Sequence, residues 1–198
     1  MSFRKEKKFR LTLSDFQILK FSLFERGMNE LYPERKVQSY YFDTKDLKMF
    51  EDSDEGILPR KKIRVRKYNE ENIYNQEIKI TSEEGRYKIT KPLKEPFNKK
   101  KYYESFLDSQ YGILIPTLFV SYFRKYYFLD NLRITFDRDI SYQNLRTDLG
   151  VKMIDPECVI EIKTDISTDD DFIFKIINIP TSRFSKYCRG IIMLNSYN

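Results

Sequence analysis

The chain has no histidine, no tryptophan and no alanine, and only two cysteines and six glycines among 198 residues. Without histidine, imidazole metal sites and Ser-His or Cys-His nucleophilic catalysis are excluded. Cys158 and Cys188 fit no metal-binding spacing and read as reduced core thiols rather than a disulfide framework. Any metal must therefore rest on carboxylates, which suits Mg or Mn. No stretch approaches the roughly eighteen consecutive apolar residues of a membrane span, and no apolar signal core follows the basic start. A soluble, cytoplasmic chain is the expectation.

What is present is aromatic and charged. Phe and Tyr number 16 and 15, and hydrophobic residues make up 40%, enough for one cored domain over residues 1–198 and too short a chain to favour two. Charged residues make up 33%, with a net charge of +6, which favours phosphate-bearing partners without naming one.

The run from Arg60 to Tyr68 alternates cations with β-branched residues. As a strand, it places Arg60, Lys62, Arg64 and Arg66 on one face and Ile63 and Val65 on the other. Like charges on one face persist only where water, neighbouring carboxylates or a bound polyanion offsets their repulsion. An edge strand guarded against pairing would look the same in isolation.

The other segments weigh against that reading. Phe3 to Leu13 reads as a strand with Arg4, Glu6 and Lys8 on one face and Phe9, Leu11 and Leu13 on the other. Ser14 with Gln17 marks a helix start, and Phe16, Leu19 and Leu23 recur at helical spacing up to Gly27. Lys36 to Asp43 is strand-like, Asp43 or Thr44 caps a short helix through about Phe50, and an acidic loop spans 52–59.

Beyond the Arg60 strand, 70–72 form a turn into a strand from Ile73 to Thr81 that places Glu77 with Lys79, and Arg86 to Thr90 forms a strand carrying Lys88. Phe97 to Gln110 reads as a polar, partly helical excursion. Thr117 to Leu129 puts Tyr122, Arg124 and Tyr126 on one face. A turn at Asp130 and Asn131 leads into Leu132 to Ile140, where Arg133, Thr135, Asp137 and Asp139 alternate with Ile134 and Phe136. Asp148 and Gly150 punctuate a loop, Cys158 to Lys163 sets Glu161 and Lys163 against Ile160 and Ile162, and Thr168 to Asp171 caps a helix toward Ile177. Thr181 or Ser182 caps a last helix carrying Arg183, Lys186 and Arg189.

At least six segments thus repeat one design, charged on one face and apolar on the other, and edge protection cannot explain all of them. A closed antiparallel barrel with a polar lumen and covering helices fits, a mainly β member of the α+β class. Its facing cations are stabilised when a phosphate chain occupies the lumen. The interleaved acids Glu6, Glu77, Asp137 and Glu161 would repel that chain unless they pair with the bases or hold a divalent cation.

Seven motifs occur in one order: Arg4-x-Glu6-x-Lys8-Phe9, Tyr41-Phe42-Asp43-Thr44, Lys62-x-Arg64-x-Arg66, Glu77-x-Lys79, Tyr122-x-Arg124, Glu161-x-Lys163 and Arg183-Phe184-Ser185-Lys186-Tyr187. Together they resemble the VTC domain, the polyphosphate polymerase domain of vacuolar transporter chaperone proteins, within the CYTH-like triphosphate tunnel superfamily. The resemblance implies a closed eight-stranded antiparallel β-barrel with flanking helices. It also implies transfer of the ATP γ-phosphate onto polyphosphate with Mn or Mg.

By the same resemblance Lys8, Arg64, Arg66, Lys79, Arg124, Arg183 and Lys186 line the tunnel beside Tyr122. Glu161 matches the metal-binding acid, and Lys88 sits where a further tunnel lysine is expected. We expect Arg64, Arg66, Arg124 and Lys186 to hold the triphosphate, with Lys62 and Lys163 on the same faces. Glu161, with Glu77 or Asp137 and with Glu6 nearby, is expected to hold the metal. Arg4 replaces the first acid of the superfamily's hydrolases, which moves the reading toward polymerases. Eukaryotic members carry a regulatory SPX domain and membrane helices that this sequence does not show, so a membrane or regulatory partner protein is a further expectation. The alternatives are a hydrolase of triphosphate or nucleoside triphosphate, and a non-catalytic module for polyphosphate or, less expected, nucleic acid.

Overall fold

The computed structural model describes residues 4–69, 73–93, 106–147 and 151–196. In chain order these form β1 (Arg4–Leu11), α1 (Leu13–Glu25), β2 (Asn29–Asp43), α2 (Lys48–Glu55), β3 (Arg60–Tyr68), β4 (Asn75–Ser82) and β5 (Gly85–Pro92). There follow β6 (Phe106–Asp108), β7 (Gly112–Leu129), β8 (Leu132–Asn144), β9 (Lys152–Ile154), β10 (Cys158–Asp165), α3 (Asp170–Ile176) and α4 (Lys186–Asn195). The molecule is mainly β. Eight strands are hydrogen-bonded neighbours in the order β1, β10, β8, β7, β2, β3, β4, β5, with β6 added to β7 and β9 to β8. None of the described helices is long and apolar enough to cross a membrane.

The chain divides into two compact units, Met1–Lys36 with Tyr122–Ile140 and Ile154–Phe184, and Val37–Ser121 with Ser141–Met153 and Ser185–Asn198. In the first, Phe9 and Leu11 of β1, Ile134 and Phe136 of β8, and Ile160 and Ile162 of β10 pack with Phe16 and Leu23 of α1 and Ile173 of α3. These apolar positions alternate with the charged ones, so one strand face is buried beneath the helices. Each such side chain stabilises the unit by about 1.5–3 kcal/mol. In the second unit Phe42, Ile63 and Val65 pack with Met49 of α2 and Leu114 of β7.

The register explains the charge ladder. In β3 and β4, Lys62 faces Lys79, Arg64 faces Glu77 and Arg66 faces Asn75. In β4 and β5, Lys79 faces Lys88. In β1 and β10, Glu6 faces Lys163 and Lys8 faces Glu161. Acid therefore meets base across strands at Arg64–Glu77, Glu6–Lys163 and Lys8–Glu161, whereas Lys62, Lys79 and Lys88 line up cation against cation.

Several boundaries differ from the sequence expectation. Thr12, not Ser14, caps α1, accepting from the Asp15 amide at 3.1 Å, so β1 stops at Leu11 rather than Leu13. β2 begins at Asn29, seven residues before the expected Lys36. Its first residues are exposed and show no apolar alternation to read. Asp52 to Glu55 continue α2 instead of forming a loop. Phe106–Asp108 is a strand on β7 rather than part of a helical excursion, and β9 was not anticipated. Arg183 precedes the last helix, which Ser185 caps. The expected turn at 70–72, the segment 97–105 and the loop at 148–150 lie outside the described residues.

Candidate functional site

The second unit holds a buried carboxylate ringed by cations. Glu77 is 4% exposed. Its Oε2 accepts from Arg64 Nε at 2.6 Å and pairs with Arg64 Nη2 at 2.5 Å. Its Oε1 accepts from Lys88 Nζ at 2.6 Å, and Arg66 Nη1 lies 3.6 Å from Oε2. Burial raises the carboxyl pKa, but the charges of Arg64, Arg66 and Lys88 outweigh it and hold the value down at about 2. Three cations on one anion leave an excess of positive charge, and Lys62 and Lys79 stand on the same face.

Two neighbours fix the guanidinium planes. Arg64 Nη1 donates to the Tyr41 hydroxyl at 2.8 Å, and Arg66 Nε donates to Ser39 Oγ at 3.0 Å. These contacts follow from register, because Tyr41 faces Arg64 and Ser39 faces Arg66 across β2 and β3. Burial raises the Tyr41 phenol pKa, yet Arg64, Arg66 and Lys186 more than reverse this and lower it. The Tyr41 ring stacks on Tyr187 of α4 at a centroid distance of 5.1 Å.

Tyr187 donates to Asp43, whose carboxylate also accepts the Met49 and Phe50 amides at 2.9 Å each. Leu47, not Asp43 or Thr44, is the N-cap residue of α2, but Asp43 accepts these first-turn amides, Thr44 Oγ1 accepts the Lys48 amide at 2.9 Å, and Asp43 also anchors α4. Burial raises its pKa against these hydrogen bonds. At the start of α4, Ser185 Oγ accepts from Lys62 Nζ at 3.1 Å, and Lys186 occupies the first helical turn.

The first unit holds a second charged cluster. Arg124 grips Asp137 with both arms of its guanidinium, Nε to Oδ1 at 2.6 Å and Nη2 to Oδ2 at 2.7 Å. Its carbon lies 5.3 Å from the Tyr122 ring centroid, so Tyr122 supports the same plane. Lys8 pairs with Glu6 at 3.1 Å and donates to the Phe184 carbonyl at 3.0 Å. Lys163 pairs with Glu161 at 3.0 Å and reaches Glu6 at 3.8 Å. Burial raises the Glu161 pKa, but Arg124, Lys163 and Lys8 together hold it well below the ordinary carboxylate range. Arg183 lies exposed beside Phe184 in the segment before α4.

The structure thus gathers the expected residues into two sets, Lys62, Arg64, Arg66, Glu77, Lys79, Lys88 and Lys186 in one unit and Glu6, Lys8, Tyr122, Arg124, Asp137, Glu161, Lys163 and Arg183 in the other. Of the expected metal acids, Glu6, Asp137 and Glu161 lie in one unit and Glu77 in the other. Among the described residues no three acidic or cysteine side chains gather as a metal site. Asp137 is clamped by Arg124, and Glu77 by Arg64 and Lys88. Glu161 and Glu6 offer two carboxylates, which fits a small hard cation that takes one or two protein carboxylates and draws its remaining ligands from phosphate and water. The sequence gives no role to Ser39 and none to Tyr41 or Tyr187 beyond their motifs. The period-two spacing of Ser39 and Tyr41 was the available signal.

Solved structures share the fold. The chain resembles a putative adenylate cyclase from Bacillus halodurans, with a TM-score of 0.61 and 15% identity over 93% of this chain and 94% of that one. A conserved hypothetical protein from Pyrococcus furiosus matches with a TM-score of 0.57 and 14% identity over 94% and 99%. A putative adenylyl cyclase from Hippeastrum, described as having a dominant triphosphatase activity, matches with a TM-score of 0.52 and 15% identity over 93% of each chain. No curated protein matches the sequence. The family model of the VTC domain matches residues 3–195, and with that extent this chain belongs to the VTC domain family, of the triphosphate tunnel fold.

Proposed function

We propose that the chain is a single VTC-type domain over 1–198 that moves the γ-phosphate of ATP onto a polyphosphate chain inside a closed eight-stranded tunnel. The observation that carries this reading is Glu77: one buried carboxylate holds Arg64, Arg66 and Lys88, with Lys62 and Lys79 on the same face, an arrangement whose surplus charge is offset by a polyanion. Membership of the VTC family supports the same substrate class.

In this mechanism Arg64, Arg66, Arg124 and Lys186 bind the triphosphate and stabilise charge on the transferring phosphoryl group. Lys8, Lys62, Lys79, Lys88, Lys163 and Arg183 hold the rest of the phosphate chain, and Tyr122 keeps Arg124 in plane. Glu77 and Asp137 orient the arginine forks rather than ligate metal. Glu161 with Glu6 would hold Mg or Mn, which supplies further neutralisation of phosphate charge when bound.

A terminal phosphate oxygen of the acceptor attacks the γ-phosphorus, a new P–O–P bond forms, and the bond to the β-phosphate oxygen breaks to release ADP. The acceptor oxygen is already anionic, so no side chain need act as base. This suits a chain without histidine.

The test is incubation with ATP and Mn. Long phosphate chains with stoichiometric ADP are the expected products. Free phosphate without chains would establish a triphosphatase instead, the second reading, favoured by the Hippeastrum neighbour's described activity. Binding without turnover, unaffected by Glu161→Gln, would point to a non-catalytic module.

A further inference from the structure

On β7, Lys125 and Tyr127 alternate with Arg124 and Tyr126, so they face away from the Arg124–Asp137 pair. There, beneath α1, a cavity of about 310 Å³ is lined by Phe16, Gln17, Lys20, Glu34, Lys125, Tyr127, Phe136 and Arg138. Its volume lies at the lower end of small-molecule sites.

Two polar groups of this lining lack partners among the described residues. The Tyr127 hydroxyl is buried and makes no hydrogen bond. Burial, with Glu30 and Glu34, pushes its pKa up to about 12, so it remains an O–H donor. Among the described residues Lys20 makes no ion pair. Its ammonium lies 5.8 Å from the ring centroids of both Phe24 and Tyr127. Burial and the Lys125 charge lower its pKa, and Arg138 adds to this while Glu30 and Glu34 oppose it.

The other cations are already paired. Arg138 donates to Glu34 at 2.8 Å and pairs with Asp139, and Lys125 lies 3.6 Å from Glu30. The groups left over are both donors, so what they lack is an acceptor, and the Lys20 ammonium, without an ion pair among the described residues, favours an anionic one. Lys20, Lys125 and Arg138 lie on three different elements. Donors converging from three elements suit a tetrahedral head with several oxygens better than a planar carboxylate. Phe16, Phe136 and the Tyr127 ring offer an apolar wall for what the head is attached to.

We infer that this cavity is a second binding site, separate from the proposed phosphate-transfer site, for a small organic phosphate with an apolar or aromatic body.

Phenyl phosphate is the probe, titrated calorimetrically into the full chain with saturating tripolyphosphate present to occupy the proposed phosphate-transfer site. Saturable binding is expected, with inorganic phosphate and benzoate each weaker by about tenfold or more, since each lacks one half of the recognition. Lys20→Met and Tyr127→Phe should each weaken phenyl phosphate by a comparable factor, while Arg64→Met leaves it unchanged. Tyr127→Phe should also raise the melting temperature of the unliganded chain, because it removes a buried hydroxyl without a partner, so lost affinity there cannot be lost folding. No saturable binding, binding indifferent to Lys20→Met and Tyr127→Phe, or binding abolished by Arg64→Met would each overturn the inference. Inorganic phosphate binding as tightly as phenyl phosphate would overturn the apolar body.

Discussion

Glu77 shows how one acid organises several cations. Its ordinary pKa is 4.5 and its folded value about 2, so its ion pairs contribute fully above pH 4.5 and lose that contribution as pH falls toward 2. Glu77→Gln leaves Arg64, Arg66 and Lys88 repelling one another across a neutral amide. We expect it to lower stability near neutral pH by about 1–3 kcal/mol. The difference from the parent chain should shrink between pH 4.5 and 2 in chemical denaturation measured across that range. Tripolyphosphate should restore the variant more than it stabilises the parent, since the phosphate replaces the missing anion. An equal shift in both would argue that phosphate does not meet these cations. The sequence placed Arg64, Arg66 and Glu77 on one face through period two. It did not reveal that Ser39, Tyr41 and Tyr187 brace them, because these contacts join residues distant in the chain.

At the scale of elements, α4 depends on one close approach. A Cβ at Gly190 would lie 2.5 Å from Tyr142 Cδ1 and 2.7 Å from Leu118 Cδ2. Both neighbours are fully buried side chains in β8 and β7 with no room to retreat. Alanine in a helix interior normally gains about 1 kcal/mol over glycine. Here overpacking of about 1–3 kcal/mol opposes it, so Gly190→Ala should lower the melting temperature rather than raise it. Because Tyr187 on the same helix stacks on Tyr41 and binds Asp43, the variant should also weaken triphosphate binding. The helix itself was legible from sequence, though its start was displaced: Ser185, not Thr181 or Ser182, bonds the Cys188 amide. Any of the three hydroxyl residues satisfies the local rule, and packing selected one.

For the whole molecule the net charge is +6, and around Glu77 three cations meet one acid. Binding of tripolyphosphate should therefore weaken steadily as salt rises from 50 to 300 mM, on the order of tenfold or more if several cations engage, as screening shortens the Debye length. Affinity that ignores salt would rule out a multi-cation phosphate site.

The sequence by itself determined the antiparallel, mainly β plan, the apolar face of most long strands and the family, because alternation and motif order are local properties of the chain. Arg60 to Tyr68 was readable as a ladder in this way. Tertiary structure decided which charge meets which. Arg64 falls opposite Glu77, Arg124 grips Asp137, and Glu6 and Glu161 both meet Lys163. Period two fixes the face a residue occupies. Only strand register and helix docking fix its neighbour, and ion pairing depends on the neighbour.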